Sequence, residues 1–325
     1  MVKDCLDGIP ELRDAVHAAS DLIEFYRSSP KRLARLANMG ASTALRPLCP
    51  TRWTCSEGAL ASIMDNYIAL RDSLLALASD RTVRAEVSSK ASGFARLMAE
   101  FTFFYGVSLA LHLLRMTTPV VRAIQGPKQT VSATLTLVKE LTEAVAGQRQ
   151  RHDEFWERTT ADASRLEVEE PRLKRHPRPP RSLDTGSDPA HPKTPKDHFK
   201  RLHLESIDRL HQAICLRYED QTKSDERILS VAEHALLSKD DEAISATSKF
   251  YGLDESRLSL HVTMLHDICQ AHGTRLCSVQ DVARFLTEGD GNRCVLLDEC
   301  TALVKLLLTA PATSCSAERS FSLLQ

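Results

Sequence analysis

The chain has 325 residues, a formal net charge of −1 and 42% hydrophobic residues. That length and apolar content fit one large domain or two ordinary ones around a buried core, and they exclude a chain disordered throughout. The near-zero charge excludes a global field that would draw the whole chain onto nucleic acid or an anionic membrane, so any such contact has to be local.

Glycine (12) and aromatics (5%) are scarce. This composition favours helix over sheet. Nine cysteines, odd in number and scattered from Cys5 to Cys315, accompany an N-terminus without a basic-then-apolar leader pattern. They read as reduced, core-filling thiols of an intracellular protein.

Pro10 opens a helical pattern, with Leu12, Val16, Ala19, Leu22, Ile23 and Tyr26 recurring at the helix period until Ser29-Pro30 ends it. "PKRLARLANM" adds a shorter helix. "GASTALRPLCPTRWTCS" then breaks the pattern, with Pro47 and Pro50 bracketing an extended segment. Thr54 or Ser56 is placed to cap the next stripe, Leu60, Ile63, Met64, Tyr67, Leu70, Leu74 and Leu77. A third block, about 86–125, is broadly apolar and is expected to be interrupted at Pro119. Its most apolar part, 101–116, is shorter than the roughly 20 residues a membrane span needs and carries His112 and Arg115. A buried core helix is expected there. Gly126-Pro127 is a stop and a start together, followed by Val131, Leu135, Val138, Leu141 and Val145.

Residues 169–197 are rich in proline and charge and read as a solvated loop or linker. Helix returns at Phe199, Leu202, Ile207, Leu210 and Ile214, and further helices fit 224–237, 240–250, 254–272, 278–287 and 292–309. Internal repeats and alternating strand runs are not evident. The pattern is that of an α-rich protein with a long central loop.

Few residues suggest chemistry. "RLKRHPRPPR", 172–181, is basic, but no aromatic interleaves with it to stack on bases, and it reads as linker or localisation signal. His266, Cys269, His272 and Cys277 are metal-ligand types, yet steps of three residues drift about 60° each around a helix, so no metal site is assigned. "EGDGNR", 288–293, lacks the Lys-Ser or Lys-Thr of a phosphate loop and reads as a turn. On pattern alone, Glu318 is an acid at a helix start, favoured there by the helix dipole.

Two separated segments change this reading. "LRPLCPTRWTCS" (45–56) and "LLLTAPATSCSAERSFSLL" (306–324) resemble two blocks of hAT-superfamily transposases: the Thr-Arg-Trp block, and the Ser-Ala-Glu-Arg-x-Phe-Ser core opening the C-terminal dimerisation region. "IPELRDAVHAASDLIEFYRSSPKR" and "KDHFKRLHLESIDRLHQAICLRY" are similar to flanking segments of that superfamily's zinc-finger MYM-type and THAP-linked subgroup.

The resemblance implies a ribonuclease-H-like core interrupted by a helical insertion, with three carboxylates holding two divalent metals for phosphodiester transfer. Glu318 corresponds to the third carboxylate, and Trp53 with Arg52 to residues at the DNA end, where an aromatic face supports an extruded base. Val304, Leu307, Leu308, Arg319, Phe321 and Leu324 fall in the implied dimerisation region. The expected organisation is mainly α: 1–53 the trailing part of the core with the Thr-Arg-Trp block, 54–168 helical insertion, 169–197 loop, 198–290 helical region, and 291–325 part of the dimerisation region. The acids before Trp53 are Asp4, Asp7, Glu11, Asp14, Asp21 and Glu24, which sit on or just before a helix, and the family's early core strands and Cys-x-x-His element are expected to be missing. One carboxylate cannot hold two metals. The expected function is therefore dimerisation by a transposase-derived fragment, truncated at both ends and without enzyme activity. No cofactor is expected unless a complete core supplies a Mg site. The expected partners are a second copy or another hAT-type protein, with DNA the weaker alternative and neither membrane nor small-molecule substrate. Nuclear localisation is expected. The alternatives are a partial sequence of an active transposase, and a relic without function.

Overall fold

A computed structural model describes residues 2–48, 56–125, 131–173, 192–219, 225–288 and 292–309. Among them 82% are helical and none lies in a strand, so the fold is mainly α. The chain forms two compact units, Met1–Pro119 with Thr142–Ala213, and Val120–Leu141 with Ile214–Gln325.

Unit 1 opens with α1 (Val2–Asp7), a short helix that the periodicity left unassigned, and α2 (Pro10–Arg27). Every position of the α2 stripe is buried, and Pro10 sits in the first turn, where its missing N–H has no helical acceptor to lose. The six acids that precede Trp53 all lie on these two helices. After α3 (Pro30–Asn38) comes the predicted non-helical stretch. Arg27 ties it down by donating from Nη1 to the Leu45 carbonyl at 3.0 Å.

The stripe expected as one helix divides into α4 (Ser56–Asp65) and α5 (Tyr67–Ser79) at Asn66. The Asn66 side chain accepts from the Ser42 N–H at 2.8 Å and donates to the Thr43 carbonyl at 2.9 Å. Asn66 thus spends its amide on the neighbouring segment, a competition that favours helix ends over interiors.

The apolar block forms α6 (Ala85–Ala99) and α7 (Phe101–Ile124), and the break falls at Glu100, not at Pro119. Two carbonyls at the end of α6 are satisfied from outside the helix: the Tyr67 hydroxyl donates to Met98 O at 2.6 Å and the Glu169 N–H to Ala99 O at 2.9 Å. Pro119 is tolerated inside α7, although a proline costs a helix interior about 3 kcal/mol. Burial of the preceding turns, from Phe101 through Leu114 and Thr117, outweighs that cost. With 24 residues, α7 is long and apolar enough to cross a membrane by length and composition, and half of its most apolar window is buried in the protein.

Beyond α7 come α8 (Val131–Gly147), a 3-10 turn at Gln148–Arg151, α9 (His152–Arg165) and α10 (Pro195–Glu219). Thr194 and Asp197 cap α10 reciprocally: Asp197 N–H donates to the Thr194 hydroxyl at 3.1 Å, and that hydroxyl to the Asp197 carboxylate at 2.8 Å. The aromatic centre of unit 1 is Tyr105, whose ring lies 4.6 Å from that of Phe199 and 5.5 Å from that of Phe155. Of the loop expected over 169–197, residues 174–191 lie outside the described residues, and α10 begins within it at Pro195; the chain on either side, 142–173 and 192–213, belongs to this unit.

Unit 2 contains α11 (Asp225–Ser238), α12 (Asp241–Tyr251), α13 (Glu255–Ala271), α14 (Val279–Thr287), α15 (Asn292–Leu296) and α16 (Asp298–Thr309). Its caps are written in the sequence. Asp240, Asp254 and Ser278 each precede a helix and accept from N–H groups of its first turn. Ala232, Leu236, Leu258, Val262, Leu265, Val282 and Leu303 build a continuous core around α16.

Candidate functional site

The site implied by sequence lies at the C-terminal end of unit 2. The expected helix over 292–309 is interrupted at Leu297, which turns inward and is fully buried. Thr301 Oγ1 donates to the Cys294 carbonyl at 3.1 Å, closing the turn between α15 and α16. Two arginines hold this pair of helices. Arg293 donates to the Phe285 carbonyl at 2.9 Å while its guanidinium lies 4.2 Å over the Phe285 ring. Arg257 Nη2 reaches both Asp298 oxygens, at 2.8 and 2.7 Å, and fixes the start of α16 to α13. Burial pushes the Asp298 carboxyl up, but the Arg257 guanidinium outweighs it and holds the group below the ordinary carboxylate range.

The expected association residues separate by face. Val304 is buried in the core of unit 2 and Leu307 packs half-buried against it, whereas Leu308 is 46% exposed. Val295 (79%), Leu296 (52%) and Leu306 (38%) are exposed as well. These last three were not singled out from the sequence. A signal for the break was present: Asp298-Glu299 is the acid pair typical of a new helix start, and it places Val295 and Leu296 on a separate short helix. Glu318, Arg319, Phe321 and Leu324, like Arg52 and Trp53, lie outside the described residues.

The two histidines among the metal-ligand types of this unit bond backbone carbonyls. His266 Nε2 bonds the Leu236 carbonyl at 2.9 Å, His272 Nδ1 bonds the Ile268 carbonyl at 2.9 Å, Cys269 is buried and Cys277 is exposed. Among the described residues no group of three His, Cys, Asp or Glu side chains is arranged to hold a metal ion.

The described cysteines are free thiols. Burial pushes Cys5 and Cys300 up to about 12, so both stay protonated and unreactive at neutral pH.

A second polar cluster lies in unit 1 and carries no sequence signal, because its members are far apart in the chain. His152 and His203 are buried with ring centroids 5.4 Å apart, and His112 bonds Gln148 Oε1 at 3.2 Å. His203 Nε2 meets the Gln148 carbonyl at 3.2 Å while its Nδ1 has no partner. Burial lowers all three imidazoles, His203 to about 4. They are neutral packing elements at physiological pH.

Comparison with protein-family models, curated proteins and solved structures returned no match.

Proposed function

We propose that this chain is a hAT-transposase-derived interaction protein that self-associates through its C-terminal helices. The observation that carries the reading is the set of large apolar side chains left uncovered on α15 and α16: Val295, Leu296, Leu306 and Leu308. Seven residues separate Leu308 from the "SAERSFSLL" tract, 316–324, that resembles the opening of the family's dimerisation region. Exposed apolar surface is a driver of association, and in a homodimer of two-fold symmetry the same patch meets itself. Val304 and Leu303 support the patch from beneath by anchoring α16 in the core.

On this reading, 1–53 is the trailing part of a ribonuclease-H-like core and the helices that follow belong to its insertion. Trp53 and Arg52 descend from a DNA-end contact. The reading assigns no strand cleavage to residues 1–325, because only Glu318 matches a family carboxylate within them. Self-association or pairing with another hAT-type chain, in the nucleus, is the remaining activity.

Sedimentation equilibrium of the full chain across a micromolar concentration range tests this. The expected result is a mass approaching twice 36.2 kDa. The pair Val295→Asp and Leu308→Asp is expected to return it to the monomer with unchanged helicity. A wild-type chain that stays monomeric throughout, or a double variant that associates equally well, sinks the proposal.

A further inference from the structure

Unit 2 also carries an open groove of about 910 Å3, walled by α11, the start of α12 and the turn before α14. Ser230, Val231, His234 and Leu237 line it from one face of α11, a length of about 10 Å at the helical rise. Val231 and Leu237 are the outer edge of the core, and with Ala243 they make an apolar floor. Asp240 and Glu242 stand in the lining with the buried Glu233, and among the described residues no Lys or Arg does.

Two helix N-termini border this groove, which by itself suggests an anion. Their donors are already used. Asp240 Oδ1 accepts from Glu242 N–H at 3.0 Å and Ala243 N–H at 3.4 Å. Ser278 Oγ accepts from Asp281 N–H at 3.2 Å, and the Asp281 carboxylate takes the Cys277 N–H at 3.3 Å. Filled caps and the Asp240 and Glu242 carboxylates repel an anion. The carboxylates are also not arranged around one point as metal ligands are. A dispersed acidic rim over an apolar floor fits an organic cation with an apolar part.

We propose that this groove takes a short basic peptide segment of another protein, with an apolar side chain seated on Val231 and Leu237 and Lys or Arg side chains on Asp240 and Glu242. The breadth of the groove selects a peptide over a small amine, because two half-buried turns of α11 accommodate several residues.

Cys277 gives a built-in reporter, since it is an exposed thiol in the groove lining. The test uses the full chain, a fluorescein-labelled amphipathic Leu/Lys peptide and its Leu/Glu counterpart, with anisotropy as one readout. Maleimide labelling of Cys277, followed by mass spectrometry, is the second. The Leu/Lys peptide is expected to bind and to slow labelling of Cys277. Glu242→Lys is expected to weaken it by about tenfold or more, and Glu242→Gln by less. Equal binding of the two peptides, unchanged affinity in Glu242→Lys, or a Cys277 labelling rate indifferent to saturating peptide overturns the proposal. Spermine that protects Cys277 as well as the peptide does also overturns it, in favour of a polyamine site.

Discussion

His203 shows how a single buried side chain sets the acid limit of a fold. Burial lowers its pKa from 6.5 to about 4, and neighbouring His152 and His112 push the same way, against a raising contribution from the Gln148 carbonyl. The unfolded chain keeps the ordinary value, so it takes up the proton first as pH falls below 6.5. Stability is therefore complete above that pH and is lost progressively down to about 4. At pH 5 the expected loss from this residue is about 2 kcal/mol relative to pH 7. Urea denaturation at the two pH values measures it. His203→Phe should flatten the difference, and a wild-type curve without a pH slope in this window contradicts the account. No sequence pattern points to this cluster, because its members come from α7, α9 and α10.

At the scale of elements, the periodicity of three and four was a good guide wherever burial alone decides. The stripes of α2 and α10 were readable because each has one buried face. Boundaries set by a distant partner were not. Asn66 ends a helix because of Ser42 and Thr43, and Glu100 does so where Tyr67 and Glu169 satisfy the carbonyls behind it. Pro119 looked decisive locally and yields to the burial of α7. Gly106 is the opposite case, a residue that looked ordinary in an apolar run. A Cβ there would lie 2.6 Å from the Ala15 Cβ, so α2 and α7 approach closely at this point. Helix propensity alone favours Ala over Gly by about 1 kcal/mol. The clash reverses the sign, and Gly106→Ala is expected to destabilise by about 1–3 kcal/mol. Thermal and chemical denaturation of the variant read this directly, and a raised Tm would refute the close approach. In unit 2, Leu303→Ala is expected to cost about 2–5 kcal/mol, because Leu303 is fully buried in the core that carries α16.

At the scale of the molecule, the helical class was legible from composition, and the proposed association surface only partly so. Leu308 could be named from the apolar run ahead of Glu318. Val295 and Leu296 could not, because their exposure depends on the inward turn of Leu297. The groove on unit 2 was invisible in sequence, since α11, α12 and the Cys277-Ser278 turn meet only in three dimensions.

Unit 1 draws on chain from both sides of residues 174–191. Lys196 Nζ pairs with the Asp153 carboxylate at 2.7 Å, the Tyr105 hydroxyl donates to the Phe199 carbonyl at 3.1 Å, and the Cys5 thiol to the Ser206 carbonyl at 3.2 Å across 201 positions. A cut anywhere in 174–191 therefore releases no free domain. The two halves are expected to stay together as a split protein, giving two bands on a denaturing gel and one particle on a native column. Co-expressed as separate chains, they should find each other by complementation, because neither half can bury the Tyr105 cluster by itself.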